Sequence, residues 1–389
     1  MKIKLLLLTM MIGVMVKTAL AQQIKVDLHI KFIKNEAPPQ KIFLTVSTPA
    51  NDKAINDSIT VIGGEARYRF EASDISKVTF YDHTSRGNPD QWASFYVSGG
   101  LVNVKIQGHL PSIKVSSSAI QDQFKEYWSF VNKEQIAYDS INVRYGRAYK
   151  NKPLLDSIRP WRGKARKELD SVNRLFVSKN PDNWFSLKVL SDAAYDFSVS
   201  GVNKPDHHHI YLTLKNLFNN LSARLRKSPF GQKATARMEG AGAALIGNQI
   251  VDFKLPEKNG GIIDTRNFRG KVYLIDFWGS WCVWCRKGHP HLKELYAKYQ
   301  PKGFEIIAVA VEFGEKNTHK DKWLKAIEED GITWKHVLND NEVINLPERY
   351  GINAYPTKLL VDQDGKIILR ITDDEERKLD AKLAELFGS

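Results

Sequence analysis

The sequence predicts three folded regions: a small antiparallel β domain, a helical segment, and a C-terminal α/β domain with a central sheet. The first part alternates apolar and polar residues, the middle spaces apolar residues as a helix does, and the last alternates buried strands with helices. The chain has 389 residues, which is more than one ordinary domain. With 42% hydrophobic and 26% charged residues, it has the composition of a protein with packed cores.

Residues 1–21 have the pattern of a secretory signal peptide. Two lysines precede the apolar run from Leu5 to Val16, and Ala19-Leu20-Ala21 offers small residues at the cleavage position. We therefore expect a mature chain from Gln22 and an exported, periplasmic protein of the cell envelope. A membrane anchor is the alternative, but the apolar run is shorter than the roughly 20 residues that a span needs.

Residues 22–118 have the period of two that is typical of strands. Turn residues separate the alternating stretches, as at Gly63-Gly64 and Gly99-Gly100. An antiparallel β domain of sandwich type is therefore expected here. The three clearest alternating stretches are residues 24–30, 66–70 and 102–106.

Residues 119–238 form the predicted helical segment, which is basic. Between residues 116 and 240 there are 21 Lys and Arg against 12 Asp and Glu. A solvated helical face explains this charge most simply, and contact with an acidic partner or an anionic membrane surface is the alternative. The triplet His207-His208-His209 lacks partners at ligand spacing, so we expect a surface rather than a metal site. Residues 239–245 are small and almost uncharged, which predicts a linker.

Residues 246–389 have the alternating pattern of an α/β domain. Nearly continuous apolar stretches predict buried strands, and amphipathic stretches between them predict helices. Strands are expected at 272–277 and 304–311, helices at 290–299 and 321–329, and a hairpin of strands 358–361 and 366–371 over Asp364-Gly365.

The only two cysteines, Cys282 and Cys285, are separated by two residues. A disulfide this short would constrain little unfolded chain, and a structural zinc site would need a second pair of ligands. A redox-active pair fits better, because Cys282 follows a buried strand and opens a helix. The helix N-terminus lowers a thiol pKa from about 8.5 into the range of roughly 3.5–7.5. Cys282 is thus the predicted nucleophile and Cys285 the resolving thiol, with no metal and no other cofactor.

The segment from Asp276 to Cys285 resembles the active-site segment of thioredoxin-like proteins of the TlpA/ResA type, which are related to the AhpC/TSA group. Pro290 matches the kink proline of the active-site helix, and Tyr355-Pro356-Thr357 matches the loop that carries a cis proline. The stretch from Trp323 to Val337 is similar to the helix and strand inserted in this subfamily. The resemblance extends from about Ile246 to Ile371, and the regions before it are similar in layout to a domain of unknown function. It implies a thioredoxin-like fold for the C-terminal domain.

The resemblance also implies roles for individual residues. Asp276 matches the buried acid that exchanges protons with the resolving thiol, although a strand-end acid bonded to a backbone donor is the alternative. Pro356 would pack against the disulfide and leave backbone groups free for substrate. Trp281, Trp284 and Tyr355 would form an aromatic collar, which serves either substrate contact or packing alone.

Two positions depart from the family pattern. Val283-Trp284 stands between the cysteines, where many members have Gly-Pro or Glu-Pro, and this dipeptide tunes the reduction potential. Gly288 stands where ResA-type members carry a glutamate, so a proton relay would rely on Asp276 or water.

The predicted function is thiol–disulfide exchange with disulfide-bearing envelope proteins, in the reducing direction, fed by a membrane electron donor. No nucleic-acid partner is expected. A second hypothesis is a thiol peroxidase, but Gly279 replaces the Thr or Ser that such sites place three residues before the nucleophile. A non-catalytic binding or scaffold protein of the envelope is a third, and the intact Cys282, Cys285, Asp276 and Pro356 argue against it.

Overall fold

The computed structural model describes residues 24–388 except 34–37, 49–50, 83–91, 109, 111, 149, 202–204, 341–343 and 373–375. The predicted signal peptide therefore lies outside the described residues. The chain divides into two compact units, 1–121 and 122–389. Among the described residues, no helix has both the length and the apolar composition needed to cross a bilayer.

The first unit is a β sandwich of two four-stranded sheets, in the orders β4-β1-β7-β8 and β3-β2-β5-β6. Inward-facing residues of both sheets meet in one apolar core, as alternation along each strand requires. The strand pairs of this domain are antiparallel as expected, except that β1 and β7 run parallel. The strands are β1 Ile24–Ile33, β2 Lys41–Thr48, β3 Asn51–Thr60, β4 Glu65–Ala72, β5 Ser76–Tyr81, β6 Ala93–Val97, β7 Gly100–Gln107 and β8 Ile113–Ser116.

Helices follow the sandwich, beginning at Ala119. They are α1 Ala119–Arg147, α2 Lys152–Lys179, α3 Trp184–Asp196, a π-helical turn Phe197–Gly201, α4 His207–Asn219, α5 Ala223–Lys227 and α6 Pro229–Ala243. The histidine triplet opens α4, where His208 Nε2 lies 3.2 Å from the carbonyl oxygen of Ile246. Within the described ranges, no group of His, Cys, Asp and Glu side chains could hold a metal ion.

The linker predicted at 239–245 is wrong. Most of it is the last turn of α6, and Gly240, Ala241 and Gly242 are buried there. A Cβ on Gly240 would collide with the carbonyl oxygen of Glu348, and a Cβ on Gly351, at φ +56°, would lie 2.7 Å from the backbone nitrogen of Ala241. The small residues therefore allow α6 to approach the segment 348–351 closely, instead of making the chain flexible.

The C-terminal part of the second unit has a five-stranded sheet in the order β13-β12-β11-β14-β15. Strands β11, β12 and β13 are parallel, and β14 and β15 are antiparallel to their neighbours. A short hairpin, β9 Lys254–Pro256 and β10 Ile262–Asp264, precedes it. The other elements are β11 Tyr273–Trp278, α7 Val283–Tyr299, β12 Glu305–Ala310, α8 His319–Asp330, β13 Lys335–Leu338, α9 Leu346–Arg349, β14 Thr357–Val361, β15 Ile367–Thr372 and α10 Glu376–Phe387.

The two faces of this sheet have different roles. Leu274 and Trp278 of β11 and Leu360 of β14 share one apolar core with the two cysteines. Tyr273, Ile275 and Phe277 instead face the opposite core. Because successive strand residues alternate between faces, Asp276 and Lys358 point to the face on which the cysteines lie.

Arg370 of β15 joins the sheet to the helices that precede it. Its guanidinium is buried and donates hydrogen bonds to the carbonyl oxygens of Ser198 (2.8 Å), Tyr350 (3.2 Å) and Gly351 (3.3 Å). Burial lowers the pKa of Arg370 to about 10, so it stays charged at neutral pH. One carbonyl oxygen of the helical region, that of Ser198, therefore helps to solvate a cation on the C-terminal sheet.

Candidate active site

Cys282 and Cys285 form a disulfide at the start of α7, with their Cα atoms 5.3 Å apart. Cys282 is the N-cap residue, and its Sγ accepts a hydrogen bond of 3.2 Å from the backbone N–H of Cys285. Both cysteines are nearly buried, with 4% and 2% exposed. When the disulfide is reduced, a thiolate on Cys282 would face unpaired N–H groups at the positive end of the helix.

The turn between β11 and α7 is held by the loop that follows β12. Ser280 donates from its N–H and its hydroxyl to the two carboxylate oxygens of Glu312, at 2.8 and 2.6 Å. Trp281 Nε1 donates to the carbonyl oxygen of Val311 at 2.8 Å. A Cβ on Gly279 would lie 2.6 Å from that same oxygen, so a larger residue would displace the loop. These contacts fix the chain immediately before Cys282.

Glu312 was missed in the sequence analysis, although a signal for it exists. It follows the buried strand β12, and the carboxyl ends of parallel strands meet at the same edge of a sheet. A polar residue just after β12 should therefore lie near the turn that carries Cys282. The carboxylate is buried, so it is available to the turn rather than to solvent.

The three aromatic residues expected to form a collar fall into two separate sets of contacts. Trp281 contacts Phe313, with ring centroids 4.7 Å apart, and meets Tyr355 edge-on at 5.4 Å. Trp284, which is 68% exposed, instead lies under the ammonium of Lys287, 4.6 Å from its ring centroid. Phe313 is also exposed and was not identified from the sequence. Burial raises the pKa of Tyr355 to about 12, so its phenol is neutral at physiological pH.

Asp276 lies in the middle of β11, directly opposite Lys358 of β14, with only 1% of its surface exposed. Its Oδ1 has no hydrogen-bond partner among the described residues. The carboxylate therefore lies under α7 with an acceptor position unused.

The loop before β14 carries Tyr355 and Pro356. The peptide bond between them is cis, and Pro356 is buried. Tyr355 packs against the apolar core that contains both cysteines. The loop thus lies beside the disulfide and leads into the strand that carries Lys358.

The basic residues that follow the cysteines on α7 are mostly paired with acidic groups of α8. Arg286 donates to Asp330 (2.6 Å) and Glu329 (2.9 Å), and His289 Nδ1 lies 2.7 Å from Asp330 Oδ2. Hydrogen bonding to Asp330 raises the pKa of Arg286. Burial acts to raise the pKa of Asp330, but Arg286 and His289 outweigh it and lower that pKa. This cluster ties α7 to α8, and Lys287 contributes the more exposed cation.

Comparison with known proteins places the C-terminal part in a recognised group. Residues 245–386 match the family model described as Redoxin. The chain is 34% identical over 139 residues to the thiol-disulfide oxidoreductase ResA of Bacillus thuringiensis, covering 34% of this chain and 73% of that protein. It is 35% identical over 131 residues to ResA of Geobacillus thermodenitrificans, covering 33% of this chain and 71% of the relative.

Solved structures also match this part of the chain. One is the thioredoxin domain of a thiol-disulfide oxidoreductase from Bacteroides vulgatus, at 33% identity and a TM-score of 0.32. That match covers 36% of this chain and 97% of the solved domain. A second is a thiol:disulfide interchange protein DsbE from Chlorobium tepidum, at 27% identity and a TM-score of 0.33. That match covers 37% of this chain and 98% of the solved chain.

Proposed function

The chain belongs to the ResA family of thiol–disulfide oxidoreductases, and we propose that it acts in the cell envelope as a reductant of protein disulfides. The observation that carries this proposal is the Cys282–Cys285 disulfide at the N-terminus of α7, beside exposed aromatic rings. The dithiol formed on reduction is itself the redox group, so the reaction needs no other cofactor.

In the reducing direction, Cys282 thiolate attacks one sulfur of a substrate disulfide, and the other substrate sulfur leaves as a thiolate and takes a proton from water. A mixed disulfide now joins Cys282 to the substrate. Cys285 loses its proton to Asp276 and attacks Cys282 Sγ, which breaks the mixed disulfide and releases the second substrate sulfur as a thiolate; this thiolate takes a proton from water. Two electrons pass from protein to substrate, and the Cys282–Cys285 disulfide is left. A membrane electron donor must then restore the dithiol, because an oxidising compartment does not.

The peroxidase alternative has less support at this site. Gly279 offers no hydroxyl group three residues before Cys282, and the neighbouring hydroxyl of Ser280 already donates to Glu312. The exposed rings of Trp281, Trp284 and Phe313 suit a protein surface better than a small peroxide.

Export is part of the proposal and rests on the leader pattern of residues 1–21. N-terminal sequencing of protein purified from the native envelope should begin at Gln22. A chain that still begins at Met1 would contradict removal of a leader, and recovery of the protein from the cytosolic fraction would contradict export.

The two cysteines should behave differently when each is replaced. Cys285→Ser should accumulate a mixed disulfide with insulin, because no thiol remains to release the substrate, whereas Cys282→Ser should accumulate none. Both variants should lose insulin reduction by at least about 100-fold. Non-reducing electrophoresis and intact mass measure the adduct, and dithiothreitol should release it. Equal adducts on both variants would contradict the assignment of Cys282 as nucleophile.

Trp284 should contribute to binding protein substrates and not to the exchange chemistry. Trp284→Ala should raise KM for insulin about 3- to 10-fold, because an exposed aromatic contact is lost, and leave the rate with a small aromatic disulfide nearly unchanged. Trp161→Ala is the matched control, since Trp161 is 67% exposed on α2. An unchanged KM for insulin in the Trp284 variant would contradict a role of this ring in substrate binding.

The direction of electron flow can be read from the reduction potential of the Cys282–Cys285 pair. We expect a value near the thioredoxin end of the scale, about −270 mV, measured against glutathione and dithiothreitol buffers. A value near about −120 mV, the DsbA end, would make the protein an oxidant and overturn the proposed direction.

A further inference from the structure

The inner face of α7 has a gap one turn beyond the resolving cysteine. Gly288 is buried and lies three residues after Cys285, on the same side of the helix. A Cβ built there would lie 2.9 Å from Glu376 Oε1 and 4.0 Å from Lys358 Nζ. The space that a side chain at 288 would fill is therefore taken by a carboxylate and an ammonium from two other elements.

Helix α10 is placed so that its first residue reaches this gap. His291 Nε2 of α7 lies 2.8 Å from Asp380 Oδ1 of α10, which holds the two helices together. Glu376 precedes Asp380 by four residues, and Gly288 precedes His291 by three. Glu376 therefore faces Gly288 about one helical turn before the contact between His291 and Asp380. Glu376 is only half-buried, which leaves its carboxylate a route to solvent.

Lys358 connects the gap to the acid beneath the disulfide. Its side chain is 3% exposed, and it lies directly opposite Asp276 in the β11–β14 ladder. Directly opposed strand residues have Cβ atoms about 4.5–5.5 Å apart, and both of these side chains point toward α7. The charged groups gathered here are thus Asp276 from β11, Lys358 from β14 and Glu376 from α10, with Cys285 of α7 above them.

The cluster sets two carboxyl groups, Asp276 and Glu376, beside the single amino group of Lys358. The cluster has a buried end at Asp276 and a half-exposed end at Glu376, which is the arrangement that a proton path requires.

We propose that Glu376 exchanges protons between solvent and Asp276, and so serves the resolving step of the proposed reaction. When Cys285 attacks the mixed disulfide, its proton passes to the Asp276 carboxylate. Asp276 then passes that proton to the Glu376 carboxylate, directly or through one water, and Glu376 releases it to solvent. No electrons move in this relay, and the charge of Lys358 stays constant. This role of Glu376 rests on the thiol exchange proposed above. Glu376 does not touch the sulfurs and acts through Asp276.

The test separates the two thiol steps with 5,5′-dithiobis(2-nitrobenzoate) in a stopped-flow instrument. Reduced protein releases one thionitrobenzoate when Cys282 attacks and a second when Cys285 resolves the adduct. Glu376→Ala should slow the second release at least about 5-fold and leave the first unchanged. Glu385→Gln is the matched control, because Glu385 is an exposed acid on the same helix.

A second variant separates proton transfer from a structural role at the start of α10. In Gly288→Glu combined with Glu376→Ala, the carboxylate enters the same space from α7, and the second release should recover to within about 2-fold of wild type. A carboxylate that only stabilised the α10 N-terminus would not be rescued from another helix.

Each outcome bears on one proposal. A second release that is equally fast in wild type and Glu376→Ala, or a slowed release that Gly288→Glu does not restore, would overturn the relay and leave thiol exchange intact. If the reduced wild-type protein released no thionitrobenzoate, the proposed function itself would fail.

Discussion

The active site depends on the burial of β11. Every residue of this strand is buried, so the point at which the chain leaves the sheet is fixed by packing on both faces. The turn after Trp278 then delivers Cys282 to the first position of α7, where the helix can stabilise a thiolate. Residues far away in sequence, such as Glu312 and Val311, hold that turn at the correct edge of the sheet.

The environment of the sulfurs is therefore asymmetric. On the outside, Trp281, Trp284 and Phe313 expose apolar rings, with one ammonium nearby. On the inside, the side chains of Asp276 and Lys358 are buried on the face of the sheet that carries the cysteines. In the proposed function, substrate recognition and proton handling therefore belong to opposite sides of the same helix.

Features that are local in sequence could be predicted, and features made by distant residues could not. The strand, turn and Cys282 are adjacent, so their order predicted the redox pair, and the family resemblance implied the acid at Asp276. Phe313 and Glu376 reach the site from another loop and another helix, and no local pattern marks them. Glu312 is marked only by its position just after the buried parallel strand β12. The linker prediction failed because small residues serve both flexible chain and close helix packing, and only the contact of Gly240 with Glu348 distinguishes the two. The parallel pairing of β1 with β7 likewise depends on topology, since alternation gives a strand no direction.

Arg370 links the stability of the helical region to the stability of the C-terminal sheet. This buried cation on the edge strand β15 receives one of its acceptors, the Ser198 carbonyl, from the helical region. If the helices came away, that charge would lose part of its solvation, and the cost would fall on the catalytic sheet. Melting of the helices and melting of the redox domain are therefore coupled. The helical region acts in effect as an internal ligand that is bound only while the catalytic fold is intact.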